Sequence, residues 1–136
     1  MNNLKVDTII FEGIDKTGKD TIIKYVNTLC KYKYAVYQRG AISNTVYNKI
    51  YNRDSFAYCI KPNTLYVLLE ADINDLNVRF KINNEPNIDI PLHLQVFNET
   101  FTEMTEGCPR LYFNTSKMNI YDIAKSIVDT MEQLNS

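Results

Sequence analysis

Phe11-Glu12-Gly13-Ile14-Asp15-Lys16-Thr17-Gly18-Lys19-Asp20-Thr21 is the stretch on which the fold turns. Before it, Val6-Asp7-Thr8-Ile9-Ile10-Phe11 is a nearly continuous apolar run, the pattern of a strand covered on both faces. After it, Thr21 to Lys33 reads as a helix. Ile22, Val26 and Leu29 follow helical spacing, Ile23 and Cys30 widen the stripe, and Lys24, Asn27 and Lys31 face water. Strand, glycine-bearing loop and helix, in that order, are what a phosphate-binding loop requires. Gly13 and Gly18 let the backbone turn so that the amides from Gly13 through Ile14, Asp15, Lys16, Thr17, Gly18, Lys19, Asp20 and Thr21 can surround a polyphosphate. The helix offers the positive end of its dipole to the same anion. Lys19 adds a full charge able to follow a transferred phosphoryl group. The competing reading is a chance glycine-rich turn, against which both flanks and spacing argue.

Position 20 departs from the usual Ser or Thr that serves as a magnesium ligand. Asp20 leaves two readings open: a carboxylate that holds magnesium directly, since hard cations take oxygen ligands, or a charge that repels the nucleotide and marks a loop without its chemistry.

The chain has 136 residues, enough for one domain with a real core. Fifteen basic against sixteen acidic residues leave a formal net charge of −1, which argues against a protein that relies on nucleic-acid phosphates for affinity. Cys30, Cys59 and Cys108 are odd in number and widely spaced, which suits a reducing compartment and forms no metal-ligand pattern. No apolar run approaches the roughly 20 residues that span a bilayer, and the N-terminus lacks a signal-peptide layout. A cytoplasmic location, without membrane or nucleic-acid partners, is the expectation.

Working outward, Tyr34-Ala35-Val36-Tyr37 predicts a second strand that ends at Gln38-Arg39-Gly40. In open parallel sheets ligands bind beyond the carboxyl ends of strands, so Arg39 is a candidate for a phosphate dianion, which its planar fork suits; the plainer reading is an exposed arginine after a turn. Ser43 is the expected cap of the next helix, with Val46, Tyr47, Ile50 and Tyr51 as its apolar and aromatic face and Asp54-Ser55 as its end. That face, with Phe56 and Tyr58, either stacks on a nucleobase or belongs to the core. Pro62-Asn63 predicts a turn.

Thr64 to Leu69 is the strongest strand signal, with Glu70 at its carboxyl end. Asp72 is a candidate cap with Asp75 in a near capping-box position, and Ile73, Leu76 and Phe80 predict the buried face of that helix. Residues 82–89 are polar and irregular, either a lid or an ordinary connection. Pro91 suits the first position of a helix in which Leu94, Phe97, Phe101 and Met104 recur at three and four, and Gly107 stops it. The lone histidine, His93, shows no partner and reads as a surface residue. Leu111-Tyr112-Phe113 predicts a last strand. Asn119 then caps a helix buried through Ile120, Ile123, Ala124, Ile127, Val128, Met131 and Leu134. Alternating strands and helices give an α/β domain: a mainly parallel sheet of about four strands with helices on both faces, joined by right-handed crossovers.

Phe11-Glu12-Gly13-Ile14-Asp15 followed by Gly18-Lys19 resembles the opening of thymidylate kinases and their phage relatives, which are P-loop nucleoside monophosphate kinases. Tyr37 to Ser43 with Val46-Tyr47 and Arg53, Leu65 to Glu70 with Leu76 and Arg79, and Leu94 to Met104 with Leu111 to Leu134 are similar to later parts of that family. The resemblance implies a three-layer P-loop NTPase fold, ATP and Mg2+ as cofactors, and a nucleotide substrate. It implies that Lys19 and the loop amides hold the donor phosphates and that Asp15 faces the acceptor or the metal. It further implies that Arg39 binds the acceptor monophosphate, and that Arg79 steadies the donor phosphates or adenine. Asp20 is the metal-ligand candidate, and some phage nucleotide kinases carry Gly-Lys-Asp-Thr in this loop. The family also implies a homodimer formed through helices. The chain is shorter than the family's usual length, with a strand and a helix missing before Gln38. Gln38 stands where the family has Asp, and of the lid's basic cluster only Arg79 and Lys81 remain.

Three functions follow. The first is a kinase moving the ATP γ-phosphoryl group to a deoxynucleoside monophosphate. The second is a degenerate kinase that binds nucleotide or a partner protein. The third is a small ATPase, in which Glu70 after the apolar strand would be the acidic group.

Overall fold

The computed structural model describes residues 5–53, 59–83 and 88–136. The expected end of the second helix at Asp54-Ser55, the aromatics Phe56 and Tyr58, and the centre of the 82–89 segment lie outside the described residues. Four strands, β1 (Thr8–Glu12), β2 (Ala35–Gln38), β3 (Thr64–Glu70) and β4 (Arg110–Asn114), form one sheet in the order β2-β1-β3-β4. Every pairing is parallel, with Phe11 opposite Gln38 on one side and Val67 on the other. The helices are α1 (Lys19–Cys30), α2 (Ala41–Ile50), α3 (Ile73–Ile82), α4 (Ile90–Met104) and α5 (Ile120–Leu134).

Side chains of a strand alternate between its faces, and the core divides accordingly. Ile9, Phe11, Leu65, Val67 and Leu69 pack with Ile22 and Val26 of α1 and with Ile123, Ile127 and Met131 of α5. Ile10, Tyr66 and Leu68 point the other way, against Ile42 and Val46 of α2, Leu76 and Phe80 of α3, and Phe97 and Phe101 of α4. The interiors of the two central strands, residues 9–11 and 65–69, are apolar because both faces are covered. Edge strand β2 is mostly exposed, with Val36 alone half-buried. Among the described residues no helix is long and apolar enough to cross a membrane.

Several boundaries differ from the expectation. Helix α1 begins at Lys19 rather than Thr21, capped by Gly18 in the left-handed region, and it ends at Cys30 because Lys31 and Tyr32 turn to φ 55° and 58°. Ser43 does not cap α2, which starts at Ala41 after Gly40. Asp72 sits at the N-cap of α3, but its carboxylate makes no cap bond and accepts instead from Asn114 Nδ2 at 3.0 Å. Asp89 caps α4 by accepting from the Leu92 amide at 3.1 Å, and Pro91 takes the second helical position. Asn119 caps α5 as expected, accepting from the amides of Tyr121 and Asp122.

Strand β1 continues through α1 to β2 on one side, and β3 lies on its other side. The direction of winding therefore reverses at β1, which opens a crevice beyond the carboxyl ends of β1 and β3. Gly13 leads into that crevice.

Candidate functional site

The loop after β1 exists because of its glycines. A Cβ on Gly13 would stand 2.2 Å from the carbonyl oxygen of Leu69, and its φ of +132° is closed to side-chain-bearing residues. The loop can therefore press against the end of β3 only with glycine there. Gly18, at φ +88°, turns the chain into α1. The leading amides of that helix have no intrahelical acceptor and carry the positive dipole end.

Lys19 is 4% exposed. Its Nζ donates to the Gly13 carbonyl at 2.9 Å, the Ile14 carbonyl at 2.5 Å and the Thr17 hydroxyl at 3.2 Å. Thr17 is itself buried and donates to the Ile14 carbonyl. Burial pulls the Lys19 ammonium down to about 8, opposed by the negative charges of Glu12 and Asp20. The loop thus stores a cation among its own carbonyls, where low polarity magnifies the charge.

Asp15 is exposed at the rim of the loop, and its carboxylate pairs with Arg39 Nη2. Arg39 Nη1 donates to the Tyr47 hydroxyl at 2.9 Å, and its guanidinium lies 5.6 Å from that ring's centre. Arg79, from α3, donates through Nη1 to the Lys16 carbonyl at 2.7 Å. The four side chains proposed from the sequence, Asp15, Lys19, Arg39 and Arg79, thus converge on one loop. Asp20 is exposed on the first turn of α1. Among the described residues no cluster of three His, Cys, Asp or Glu side chains is arranged to hold a metal ion.

Clefts open on both flanks. One, of about 240 Å³, is lined by Lys16, Thr17, Gly18, Arg79, Thr115 and Ile120 among others. The second, of about 150 Å³, lies beside Ile14 and Asp15 and is walled by Tyr47, Tyr51, Phe80 and His93. Tyr47 and Tyr51 are stacked, their ring centres 6.1 Å apart. Tyr47 is half-buried and Tyr51 is exposed; the aromatic face is a cleft wall with its rear edge against Phe97.

His93 corrects the surface expectation. It is 4% exposed. Its Nδ1 lies 2.8 Å from the Asp89 carbonyl, and its Nε2 lies 3.5 Å from the Tyr51 hydroxyl. A carbonyl only accepts, so Nδ1 carries a proton. Helical spacing held the signal: His93 stands four residues before Phe97, on the buried face of α4.

Glu12 is the residue that sequence reasoning passed over. It is fully buried, and its carboxylate accepts from the amides of Gly40 (3.1 Å), Ile42 (3.0 Å) and Ser43 (3.3 Å) and from the Ser43 hydroxyl (2.6 Å). Burial pushes its carboxyl above the ordinary 4.5, while the bonds from Ser43, Gly40 and Ile42 pull it back. A charged residue at the end of an apolar strand was the available signal. Glu70, the last residue of β3, is engaged with β4 and α4: it accepts from the Tyr112 hydroxyl at 2.7 Å and from Asn98 at 3.4 Å. Burial and the Glu70 carboxylate together push the Tyr112 phenol up to about 12.

Comparison of the chain with protein-family models, with curated proteins and with solved structures gave no match. The fold and the convergence of side chains on the loop therefore stand as the basis for a functional reading.

Proposed function

We propose that the protein is an ATP-dependent nucleotide kinase that transfers the γ-phosphoryl group to a deoxynucleoside monophosphate, on a three-layer P-loop fold. One observation carries the reading: a glycine loop with a buried lysine at the carboxyl end of β1, flanked by two clefts, each with its own arginine nearby. A phosphoryl transfer needs two nucleotides end to end across one anion-binding loop.

Lys19 and the leading amides of α1 suit the donor phosphates, and the Arg79 side suits the donor's base and ribose. Asp15 lines the second cleft and Arg39 is bonded to two of its lining residues, Asp15 and Tyr47; there an acceptor monophosphate would exchange its oxygens for the carboxylate now on Arg39. An acceptor phosphate oxygen attacks the γ-phosphorus, the bond to the β–γ bridging oxygen breaks, and ADP and a nucleoside diphosphate leave. Catalysis then rests on alignment and charge neutralisation. Mg2+ would offset phosphate charge. It is commonly held by one or two carboxylates together with substrate phosphates, and Asp20, exposed on the first turn of α1, is the carboxylate that would hold it. Glu70 is engaged with Tyr112 and Asn98, which disfavours the ATPase reading in which it serves the reaction.

A coupled assay with ATP, Mg2+ and each of the four deoxynucleoside monophosphates tests this. ADP release above background with at least one of them is expected, and none with any of them overturns it. Asp20 and Gln38 favour a second reading, a nucleotide-binding protein without turnover. Calorimetric ATP binding with no product would select it.

A further inference from the structure

Helix α2 begins without a cap of its own. Gly40, its N-cap residue, has no side chain to offer the first-turn amides, and such amides are costly to leave unpaired when buried. The cap is supplied from another strand. Both carboxylate oxygens of Glu12 are directed at the first turn of α2, and every hydrogen bond they accept comes from Gly40, Ile42 or Ser43. Among the described residues no basic side chain lies within ion-pair distance of Glu12. Its charge is balanced by the helix dipole and by these donors, with Lys19 attracting it from farther off.

The residue just before this junction is Arg39, whose backbone has φ 70°. A side-chain-bearing residue in the left-handed region is strained by about 1 kcal/mol or more, and the strain persists only where surrounding contacts over-determine it. Two consecutive residues of β1 provide those contacts. The Phe11 carbonyl accepts from the Arg39 amide at 2.8 Å, and Glu12 accepts from the next amide, that of Gly40. The residue after Glu12 is Gly13, the start of the phosphate loop. One dipeptide thus ties down the arginine-bearing turn and launches the lysine-bearing loop.

We propose that Glu12 is a positioning residue that fixes the Arg39 turn relative to the loop, acting as the N-cap of α2 from across the sheet. For turnover this rests on the kinase reading; for the placement of Arg39 it does not. Glu12 touches neither nucleotide. It sets where the guanidinium stands, while Lys19 is bonded to the loop's own carbonyls and feels Glu12 only as a distant charge. Its removal is therefore felt on the acceptor side first.

The test compares the full-length chain with Glu12→Gln, which keeps the shape and loses the acceptor facing Gly40, and with Ser43→Ala, which deletes one of the four bonds. The first readout is the Arg39 Nε–H signal in 15N-resolved NMR, assigned by its loss in Arg39→Lys. A dispersed signal in the parent that moves toward the free-arginine position in Glu12→Gln, and part of the way in Ser43→Ala, is expected. An unmoved signal in a folded Glu12→Gln overturns the proposal. The second readout is kinetic. The acceptor KM should rise about tenfold in Glu12→Gln and about threefold in Ser43→Ala; the KM for ATP should stay within about twofold of the parent in Ser43→Ala and rise by clearly less than the acceptor KM in Glu12→Gln, where Lys19 also loses a distant counter-charge. Equal losses for both substrates would make Glu12 a general stabiliser and overturn it. If Glu12→Gln does not fold, Ser43→Ala decides by the same two readouts. If the parent shows no turnover, the kinase reading falls, and the NMR signal alone decides the role of Glu12.

Discussion

Lys19 and Arg39 stand on opposite sides of the carboxyl end of β1, and they are held in different ways. The Lys19 ammonium is buried, with three oxygen acceptors drawn from its own loop. The Arg39 guanidinium is part exposed and is held by two side chains, Asp15 and Tyr47, from two different segments. Backbone carbonyls move only with the chain, so the lysine side is pre-organised. A carboxylate and a phenol swing on rotatable bonds, so the arginine side adjusts. An anion entering at Lys19 would meet a cation already fixed by its own loop, whereas an anion at Arg39 would replace an exposed partner. Under the kinase reading the loop side would supply a fixed reference for chemistry, and the other side would admit its ligand at lower cost.

The strongest way to break this contrast is to spoil the loop's shape. Gly13→Ala puts a methyl group against the Leu69 carbonyl in a backbone region closed to alanine. A loss of about 3 kcal/mol in urea unfolding is expected. Gly18→Ala, which meets only the end of the Ile120 side chain, should lose about 1 kcal/mol. Equal losses would mean that the loop is not pressed on β3.

Removing the charges comes next. Lys19→Ala should lower ATP affinity about 100-fold in calorimetry, which is close to 2.7 kcal/mol. Arg39→Ala should leave ATP affinity within about twofold and raise the acceptor KM about 30-fold. Matching losses of ATP affinity in the two variants would erase the division between the sides.

Titration sharpens the contrast further. With Lys19 at about 8 in the folded protein against 10.5 for an ordinary lysine, the folded state holds fewer protons across that window. Stability from this group therefore rises between pH 8 and 10.5. Under the kinase reading the affinity for ATP should move oppositely, because phosphate would bind the charged form. It should fall toward a tenfold loss per pH unit above about 8. Calorimetry and thermal unfolding over the same pH range check both signs, and parallel trends would refute the placement of the ammonium. The smallest effect belongs to the arginine side: Tyr47→Phe removes the hydroxyl that accepts from Arg39. It should raise the acceptor KM about fivefold, roughly 1 kcal/mol.

Much of the fold was legible because periodicity reports burial. The apolar runs 6–11 and 64–69 became the central strands Thr8–Glu12 and Thr64–Glu70, and the stripe through Ile123, Ile127 and Met131 became the buried face of α5. The phosphate-loop candidates were legible from glycine spacing. Long-range partners were not. Ser43 carries the residue type of a cap, yet it donates to a carboxylate 31 positions earlier in the chain. Asp72 has the type and the position of a cap, and its carboxylate goes to Asn114. His93 looked unpartnered because Tyr51 reaches it across 42 positions. Local rules describe competition among near neighbours, and these groups found better partners across the fold.

The sequence by itself determined that the chain is α/β and which loop its glycines bend most sharply. Both follow from properties of single residues and their spacing: the alternation of burial, and the φ values that only glycine takes freely. Only the tertiary structure decided that the sheet runs β2-β1-β3-β4. The same is true of Arg39 facing Asp15 and of Glu12 closing the first turn of α2. Each of these depends on which distant segments share a boundary once the apolar faces are buried. A side chain's partner is then settled by the packing of whole elements, at distances along the chain where no periodicity persists.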